Sequence, residues 1–398
     1  VLSNHKIEDI HLAEQGKLRV GWASLNMPIL ASIRETFEQT KPFAGKRIGI
    51  CLHVEPKTAV WVQTLMAGGA EVSITGSPKT TKDDTAAWLV QELGTNVYAW
   101  NSETFEDHLD NIGLVLEDDP DLIADNGGDL HAFVHDKPEY QHLQQKIIGA
   151  TEETTTGATR LRESYDSFYF PTLVINDTQA KRIIENRYGV GQGVVDAIMR
   201  ATRLLMGGKR TTVVGYGYCG QGVAKYMRGA GAHVTVVDLN PLAQLEAHLE
   251  GFQTTTLEDA LPNADIVITV TGRSGVLGMA EFGQMKDGVL LCNAGHFEDE
   301  LDLPALREQA RTQETLDQHI ESYELLNGNH IYLLGEGNLI NLAAADGNPI
   351  EVMDLGLALQ SLSLAYHMKN SNKLQHEPQM VPYEIEQQVA SLALKAWS

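Results

Sequence analysis

Apolar and polar positions alternate in two regimes along the chain, and their order predicts the architecture. "RIGICLHV" (47–54) is an apolar, β-branched run, and "TAVWVQTLMAGGA" (58–70) has the spacing of a helix that ends on glycine. "EVSITG" (71–76) predicts a second strand, "DDTAAWLVQELGT" (83–95) a helix and "NVYAW" (96–100) a third strand. Strands alternating with helices imply parallel pairing through right-handed crossovers. The pattern restarts at "RTTVVGYGYCGQGVAKYMRGAGAHVTVVD" (210–238), read as strand, glycine turn, helix, strand, with "ADIVITVTG" and "GVLLCNAG" as further strands. "VGQGVVDAIMRATRLLMGG" (190–208) is a long amphipathic helix in hinge position, and "EVMDLGLALQSLSLAYHM" (351–368) begins a helical tail. The fold class is therefore α/β: two Rossmann-like doubly wound parallel-sheet domains with a helical C-terminal segment.

Composition narrows the function classes. A net charge of −23 offers no cationic surplus for nucleic acid or an anionic membrane. Cys51, Cys219 and Cys292 fit neither a disulfide framework nor zinc spacing, so a reducing compartment is expected. No run approaches the ~20 apolar residues of a membrane span, and the first residues lack an apolar core. A cytoplasmic enzyme is the expectation, with no metal site.

The most specific motif is Gly215-x-Gly217-x-x-Gly220 after an apolar strand and at the start of a helix. Gly215 permits the turn, Gly217 lets the backbone approach a pyrophosphate, and Gly220 lets helix and strand pack closely. Asp238 closes the next strand, where a carboxylate accepts hydrogen bonds from a ribose diol and repels a 2′-phosphate. NAD is the cofactor this constellation predicts.

Other stretches have two readings each. "IADNGGDLH" (123–131), with Gly113–Leu116 and Leu122–Ile123 before it, reads as a strand ending in a polar turn, where Asn126 stands between Asp125 and Asp129. "ATEETTTGATRL" (150–161) is either a helix-capping turn or a cluster of oxygen donors. Lys181 and Glu185, four apart with Asn186 beside them, form either a surface ion pair or a grip on a hydroxyl. His53, Glu55 and Lys57 project to one side if the chain stays extended, either into solvent or into a site. His296, at the end of a strand in "CNAGHF", is structural or catalytic.

Together "EETTTG", "NAGHF" and "GYGxxGxG", in this order and spacing, resemble the S-adenosylhomocysteine hydrolases over nearly the whole chain. "HVEPKTA" and "MDLGLALQ" are most similar to the short bacterial and archaeal branch of that family. The resemblance implies a substrate domain at 1–187 completed by about 348–375, an NAD-binding Rossmann domain at 190–347, and a short terminal segment at 376–398. It also implies a homotetramer. The implied reaction is reversible hydrolysis of an S-nucleosyl-L-homocysteine: NAD oxidises ribose C3′, the C4′ proton is lost, homocysteine leaves C5′, water adds, and the ketone is reduced again. Carried over by position, His53 and His296 face C5′. Lys181, helped by Glu185, takes the 3′-hydroxyl proton, and Asn126 stands at the catalytic turn. Glu153 holds a ribose hydroxyl, with Glu55, Lys57, Thr58, Asp129, Asn348 and Met353 also on the substrate side. Thr154, Thr155, Thr156, Asn186, Asn293 and Asn341 join the glycines and Asp238 on NAD.

The chain departs from the family pattern at several of these positions. Asn126 stands where the family has a second aspartate, and an amide takes no proton at neutral pH. Glu185 replaces Asp, Asn348 replaces the histidine of a Gly-His-Pro motif, and Asn338 replaces an arginine. The sequence stops at "ALKAWS", before the segment whose lysine and tyrosine reach a neighbouring subunit's NAD. Where many members have Thr and Glu, this chain has Glu55 and Lys57. Lys can donate to O6 of hypoxanthine and Glu can accept from N1–H, a match to an inosyl rather than an adenosyl substrate; alternatively the two residues simply pair with each other. Two rival functions are a nucleoside-tailoring 3′-oxidoreductase and a non-catalytic NAD-binding regulatory homologue.

Overall fold

The computed structural model describes residues 4–295 and 298–398. The chain divides into two compact units: unit 1 comprises residues 1–181 and 350–398, and unit 2 residues 182–349.

Unit 1 is built on an all-parallel sheet of β1 (His5–Lys6), β2 (Lys46–Cys51), β3 (Ala70–Thr75), β4 (Asn96–Tyr98), β5 (Leu122–Asp125), β6 (Gly149–Glu152), β7 (Thr172–Val174) and a last strand, Pro378–Met380. The spatial order is β1-β4-β3-β2-β5-β6-β7 and then Pro378–Met380. The inner strands are apolar along their length, as a sheet covered on both faces requires: Ile48, Ile50, Ile74, Val97, Leu122 and Ile123 are all buried. The chain's direction of winding reverses between β2 and β5. Loops leaving the carboxyl ends of strands at such a switch point form the crevice where open α/β sheets bind ligands.

Two expected elements come out differently. Gly113–Leu116 belongs to a helix, Phe105–Glu117, and the strand is only Leu122–Asp125. A capping box between Thr104 and Asp107 starts that helix, and His108, Ile112, Val115 and Leu116 bury on one face with helical spacing. The segment after β2 does not stay extended through Lys57. Pro56 opens the helix Pro56–Ala67, so Glu55 takes the N-cap position and Lys57 lies in the first turn.

Residues 376–398 are part of unit 1: Pro378–Met380 pairs with β7, and the helix Tyr383–Trp397 accepts the Ala180 N–H on Glu386 (2.8 Å). The helix Ile350–Asn370 also belongs here. Its Asp354, fully buried, accepts the Ile29 and Leu30 N–H groups, each at 2.8 Å, at the start of the helix Pro28–Thr40. That helix has no side-chain cap of its own, so a residue more than 300 positions away satisfies two of its orphan donors. Burial raises the Asp354 carboxyl to about 7, against the pull of the two N–H bonds. Its folded value thus lies above the ~3.9 of an unfolded aspartate, so the native state holds the extra proton in between. Stability is expected to fall as pH rises from about 4 to about 7, by at most roughly 4 kcal/mol, and to level off above. Thermal melts across that range check it. Asp354→Asn should flatten the profile while losing one N–H bond, worth about 1 kcal/mol.

Unit 2 has β8 (Arg210–Val214), β9 (His233–Val237), β10 (Gln253–Thr254), β11 (Ile266–Thr269), β12 (Val289–Asn293), β13 (Ala310–Asp317), β14 (Ile320–Leu325) and β15 (His330–Leu334), in the order β10-β9-β8-β11-β12-β15-β14-β13. Pairing is parallel from β10 to β15, and β14 and β13 add an antiparallel edge. The parallel part reproduces the 3-2-1-4-5-6 order of dinucleotide-binding sheets. The helix Val190–Thr202 precedes it, stopped by Arg203 in a left-handed conformation, shorter than the amphipathic pattern through residue 208 predicts.

Candidate active site

In unit 1 the loops after β2, β5, β6 and β7 carry the polar groups. Asp125 ends β5 beside Glu152, which ends β6 in direct register. Asp125 accepts the Asn126 N–H at 3.1 Å and the His131 N–H at 3.0 Å, and its Oδ2 lies 2.8 Å from His131 Nδ1. Glu152 accepts from the N–H of Gly127 (3.0 Å) and from the N–H and hydroxyl of Thr154 (both 2.9 Å) through one oxygen. Burial first, then Asp125, pushes the Glu152 carboxyl well above the usual carboxylate range. These two buried acids fix the turn bearing Asn126 and the turn bearing Glu153 relative to each other. Asn126 Nδ2 then donates to Glu153 Oε2 at 3.1 Å.

A second chain of contacts starts at Thr154, which caps the helix Thr155–Ser164 by accepting the Gly157 N–H. Thr155 donates its hydroxyl to Asn176 Oδ1 (2.9 Å), and Lys181 Nζ donates to the same oxygen (3.3 Å). Lys181 is only 5% exposed, which removes it from the reading as a surface ion pair. After β2, Lys57 Nζ lies 3.0 Å from Glu55 Oε2, and Thr58 donates to the His53 carbonyl at 2.7 Å. His53 keeps a buried Nδ1 with no hydrogen-bond partner among the described residues; burial, then the Lys57 charge, lowers its imidazole to about 4, so it is neutral at physiological pH.

Asp129 turns elsewhere: its carboxylate lies 3.1 Å from His108 Nε2 and 2.7 Å from Arg160 Nη1. It stands as a brace under the turn, because two cationic or donor side chains already occupy both of its oxygens. Met353 lies half-buried on the helix Ile350–Asn370, one residue before Asp354. His296 lies outside the described residues.

In unit 2 the glycine turn has the geometry a dinucleotide needs. Gly215 sits at φ +105, and a Cβ on Gly220 would lie 2.0 Å from the Gly215 carbonyl oxygen. Nothing lies within 4 Å of a Cβ at Gly217, the N-cap of the helix Tyr218–Gly229, so the approach to that helix end is open. Asp238 accepts the N–H of Tyr216 (2.7 Å) and of Asn240 (2.8 Å), which fixes it at the end of β9. Asn341 is buried with its Oδ1 unpartnered among the described residues, and Asn293 accepts from the Thr269 hydroxyl and from the Gly295 N–H. Asn186 lies half-buried on the segment Arg182–Gly189, and Thr156 half-buried in unit 1. The cradle fits NAD. Gly220→Ala is expected to destabilise the protein by about 1–3 kcal/mol through overpacking and to abolish NAD retention, read by melting and by nucleotide content after purification.

Two family models match: the S-adenosyl-L-homocysteine hydrolase model over residues 4–142 and its NAD binding domain over residues 186–347. An adenosylhomocysteinase of Sulfurisphaera tokodaii is 45% identical over 394 residues, spanning 98% of this chain and 94% of that one. The chain belongs to the S-adenosyl-L-homocysteine hydrolase family. An S-inosyl-L-homocysteine hydrolase of Methanopyrus kandleri is 44% identical over 398 residues, 98% of this chain and 93% of that one. At the level of fold alone, a dipicolinate synthase of Bacillus halodurans superposes with a TM-score of 0.52 at 13% identity, covering 82% of this chain and 100% of that one.

Two departures from the family pattern meet in unit 2. Asn348 Nδ2 donates to Glu185 Oε1 at 3.3 Å, so the longer acid and the amide that replaces histidine are partners. Asp125 and Glu152 were noted in the sequence only as neighbouring acids without a role, and Asn176 and His131 were not singled out. A doubled acid in "TEET" was a signal for Glu152, and the polar pair closing "TLVIND" one for Asn176. Nothing in the sequence marks His131 as the partner of Asp125.

Proposed function

We propose that the protein is an NAD-dependent hydrolase that reversibly splits S-nucleosyl-L-homocysteine into nucleoside and homocysteine. The observation that carries this reading is the pair of contact chains in unit 1, Asn126–Glu153 and Thr155–Asn176–Lys181, of which Glu153, Asn176 and Lys181 are buried, in a chain of this family. Gly215, Gly217, Gly220 and Asp238 would hold NAD, with Asn186, Asn293, Asn341 and the threonines 154–156 named by the family pattern, and NAD would supply reversible oxidation of a ribose carbon.

The chain's own groups do the rest. Glu153 accepts a ribose hydroxyl and so orients the sugar. Lys181 takes the proton of the hydroxyl to be oxidised, with Asn176 fixing its Nζ. Glu185 is the supporting carboxylate. Loss of thiolate from C5′ needs proton transfer at C4′ and at the departing sulfur, and a neutral imidazole at His53 accepts or donates there. Glu55 and Lys57 present one acceptor and one donor, and with Lys57 facing position 6 and Glu55 facing N1 of the base this order favours an inosyl substrate; Thr58 ties the helix start to the His53 carbonyl. Asn348 and Met353 complete the substrate contacts. Assembly as a homotetramer belongs to the same proposal, supported by Leu18, Trp22 and Leu25, all more than 60% exposed on one face of the helix Ala13–Leu25. So does a cytoplasmic location, supported by three free cysteines; among the described residues no helix is long and apolar enough to cross a membrane.

The test adds adenosine and inosine separately to the purified protein and follows reduced nicotinamide by absorbance, with thiol release from each S-nucleosyl homocysteine. Both signals are expected. Reduced nicotinamide without thiol moves the assignment to a nucleoside-tailoring oxidoreductase, the reading that the amide at Asn126 favours; neither signal overturns both.

A further inference from the structure

The turn after β5 joins an asparagine directly to a glycine, Asn126–Gly127, at the centre of the sugar-facing cluster. An asparagine followed by glycine is the sequence most prone to lose its side-chain amide, because the next backbone nitrogen meets no side chain as it closes on the amide carbon. In most folded proteins a rigid backbone suppresses this. Here Asp125 and Glu152 hold the turn, and the groups that ring closure needs lie beside it. Gly127 sits at φ +104, and a Cβ there would meet nothing within 4 Å, so there is room for ring closure and for water. Its N–H points at Glu152 Oε1, 3.0 Å away, a carboxylate oxygen positioned to take the proton. The amide nitrogen that must leave is held by Glu153 Oε2 at 3.1 Å.

We propose that Asn126 is a self-processing position, converted in the folded protein to aspartate through a cyclic imide with Gly127. The Gly127 nitrogen gives its proton to Glu152 and forms a bond to Asn126 Cγ. The Cγ–Nδ2 bond breaks, and the amide leaves as ammonia after regaining that proton. One water then opens the imide at Cγ, returning a proton to the Gly127 nitrogen and leaving a carboxylic acid; no oxidant or reductant is involved. Opening at Cγ restores the backbone bonds that Asp125 and Glu152 make on both sides of the turn, so aspartate is the product rather than isoaspartate. Burial and Asp125 hold the Glu152 carboxyl well above the usual carboxylate range, so only its ionised fraction takes the proton and the conversion is expected to speed up as pH rises.

The consequence rests on the hydrolase reading. A carboxylate at position 126 would face Glu153 at hydrogen-bond distance. Two such acids cannot both ionise freely, so one holds its proton to higher pH, as a base working near neutrality must. The freshly made chain is then a precursor whose sugar-facing proton acceptor appears with time.

The experiment takes full-length protein, fresh and after incubation at mildly alkaline pH. It measures the mass of the peptide bearing residue 126, released ammonia, and thiol release from S-inosyl- and S-adenosyl-homocysteine at each time. The peptide is expected to gain one mass unit as aspartate, faster in the folded chain than in the same chain held in denaturant. Thiol release should rise in step by at least about 100-fold, the lower end of a general base's contribution. Asn126→Asp should have the final activity from the start, Asn126→Gln should keep its mass, and Glu152→Gln should slow the conversion. Asparagine persisting at 126, or converting no faster than in the unfolded chain, overturns the self-processing. Full thiol release while 126 is still asparagine overturns its catalytic consequence. Conversion with no thiol release from either substrate, in aged wild type and Asn126→Asp alike, upholds the modification and fails the hydrolase reading.

Discussion

Thiol release from S-inosyl-L-homocysteine is expected to exceed release from the adenosyl compound by roughly 10⁴-fold, because a site built for one hydrogen-bond pattern strands buried polar groups against the other. Glu55 and Lys57 are paired at 3.0 Å, with side chains 18% and 7% exposed. The pairing does not exhaust either group: an ammonium has three donors and a carboxylate about four acceptor sites. It sets a donor beside an acceptor: with Lys57 opposite position 6 and Glu55 opposite N1, the order proposed above, the pair complements O6 and N1–H of hypoxanthine, and the reverse order complements N6–H and N1 of adenine. Glu55→Thr combined with Lys57→Glu should reverse the preference. Comparing kcat/KM for the two thioethers checks both statements. Equal use of both by the wild type would mean that the pair serves only itself, and the enzyme class would stand without the base selectivity.

Lys181→Met is expected to lower the formation of reduced nicotinamide from nucleoside by about 10²–10⁴-fold, the range of a lost general base. Methionine has similar length and suits a buried position, so the fold and the unit 2 cradle should survive, and bound NAD should remain at wild-type content. Lys181→Arg separates charge from proton transfer. Arginine keeps the positive charge next to Asn176 but does not give up its proton. If Lys181 acts as a base, arginine rescues nothing; substantial turnover with arginine would assign the residue a purely electrostatic role. Asn176→Ala should fall between, since it removes the oxygen that orients both Lys181 and Thr155.

Much of the frame was legible in the sequence, for physical reasons that differ by region. The glycine turn at 215–220 spells its own geometry, because only glycine tolerates φ +105 or a carbonyl 2.0 Å from a Cβ. Parallel strands buried on both faces announce themselves as unbroken apolar runs. Gly113–Leu116 misleads for the same reason: four apolar residues look alike in a strand and on the inner face of a helix, and the capping box that decides lies nine residues earlier. Glu55 and Lys57 come out in different positions because Pro56 opens a helix rather than continuing an extended segment. The contacts that arm the site were the least legible. Asp125 meets Glu152, and Thr155 meets Asn176, only because β5, β6 and β7 are neighbours in the sheet, and no local pattern encodes that register.

Unit 1 is closed by chain from both before and after unit 2, and this has a consequence for biosynthesis. Domains that emerge whole can fold while translation continues. Unit 2 is complete at residue 349, whereas unit 1 still lacks Asp354, the strand Pro378–Met380 and the helix Tyr383–Trp397. On the ribosome the dinucleotide cradle is therefore finished first. The N–H groups at the start of the helix Pro28–Thr40 wait bare until Asp354, beyond unit 2, has been made.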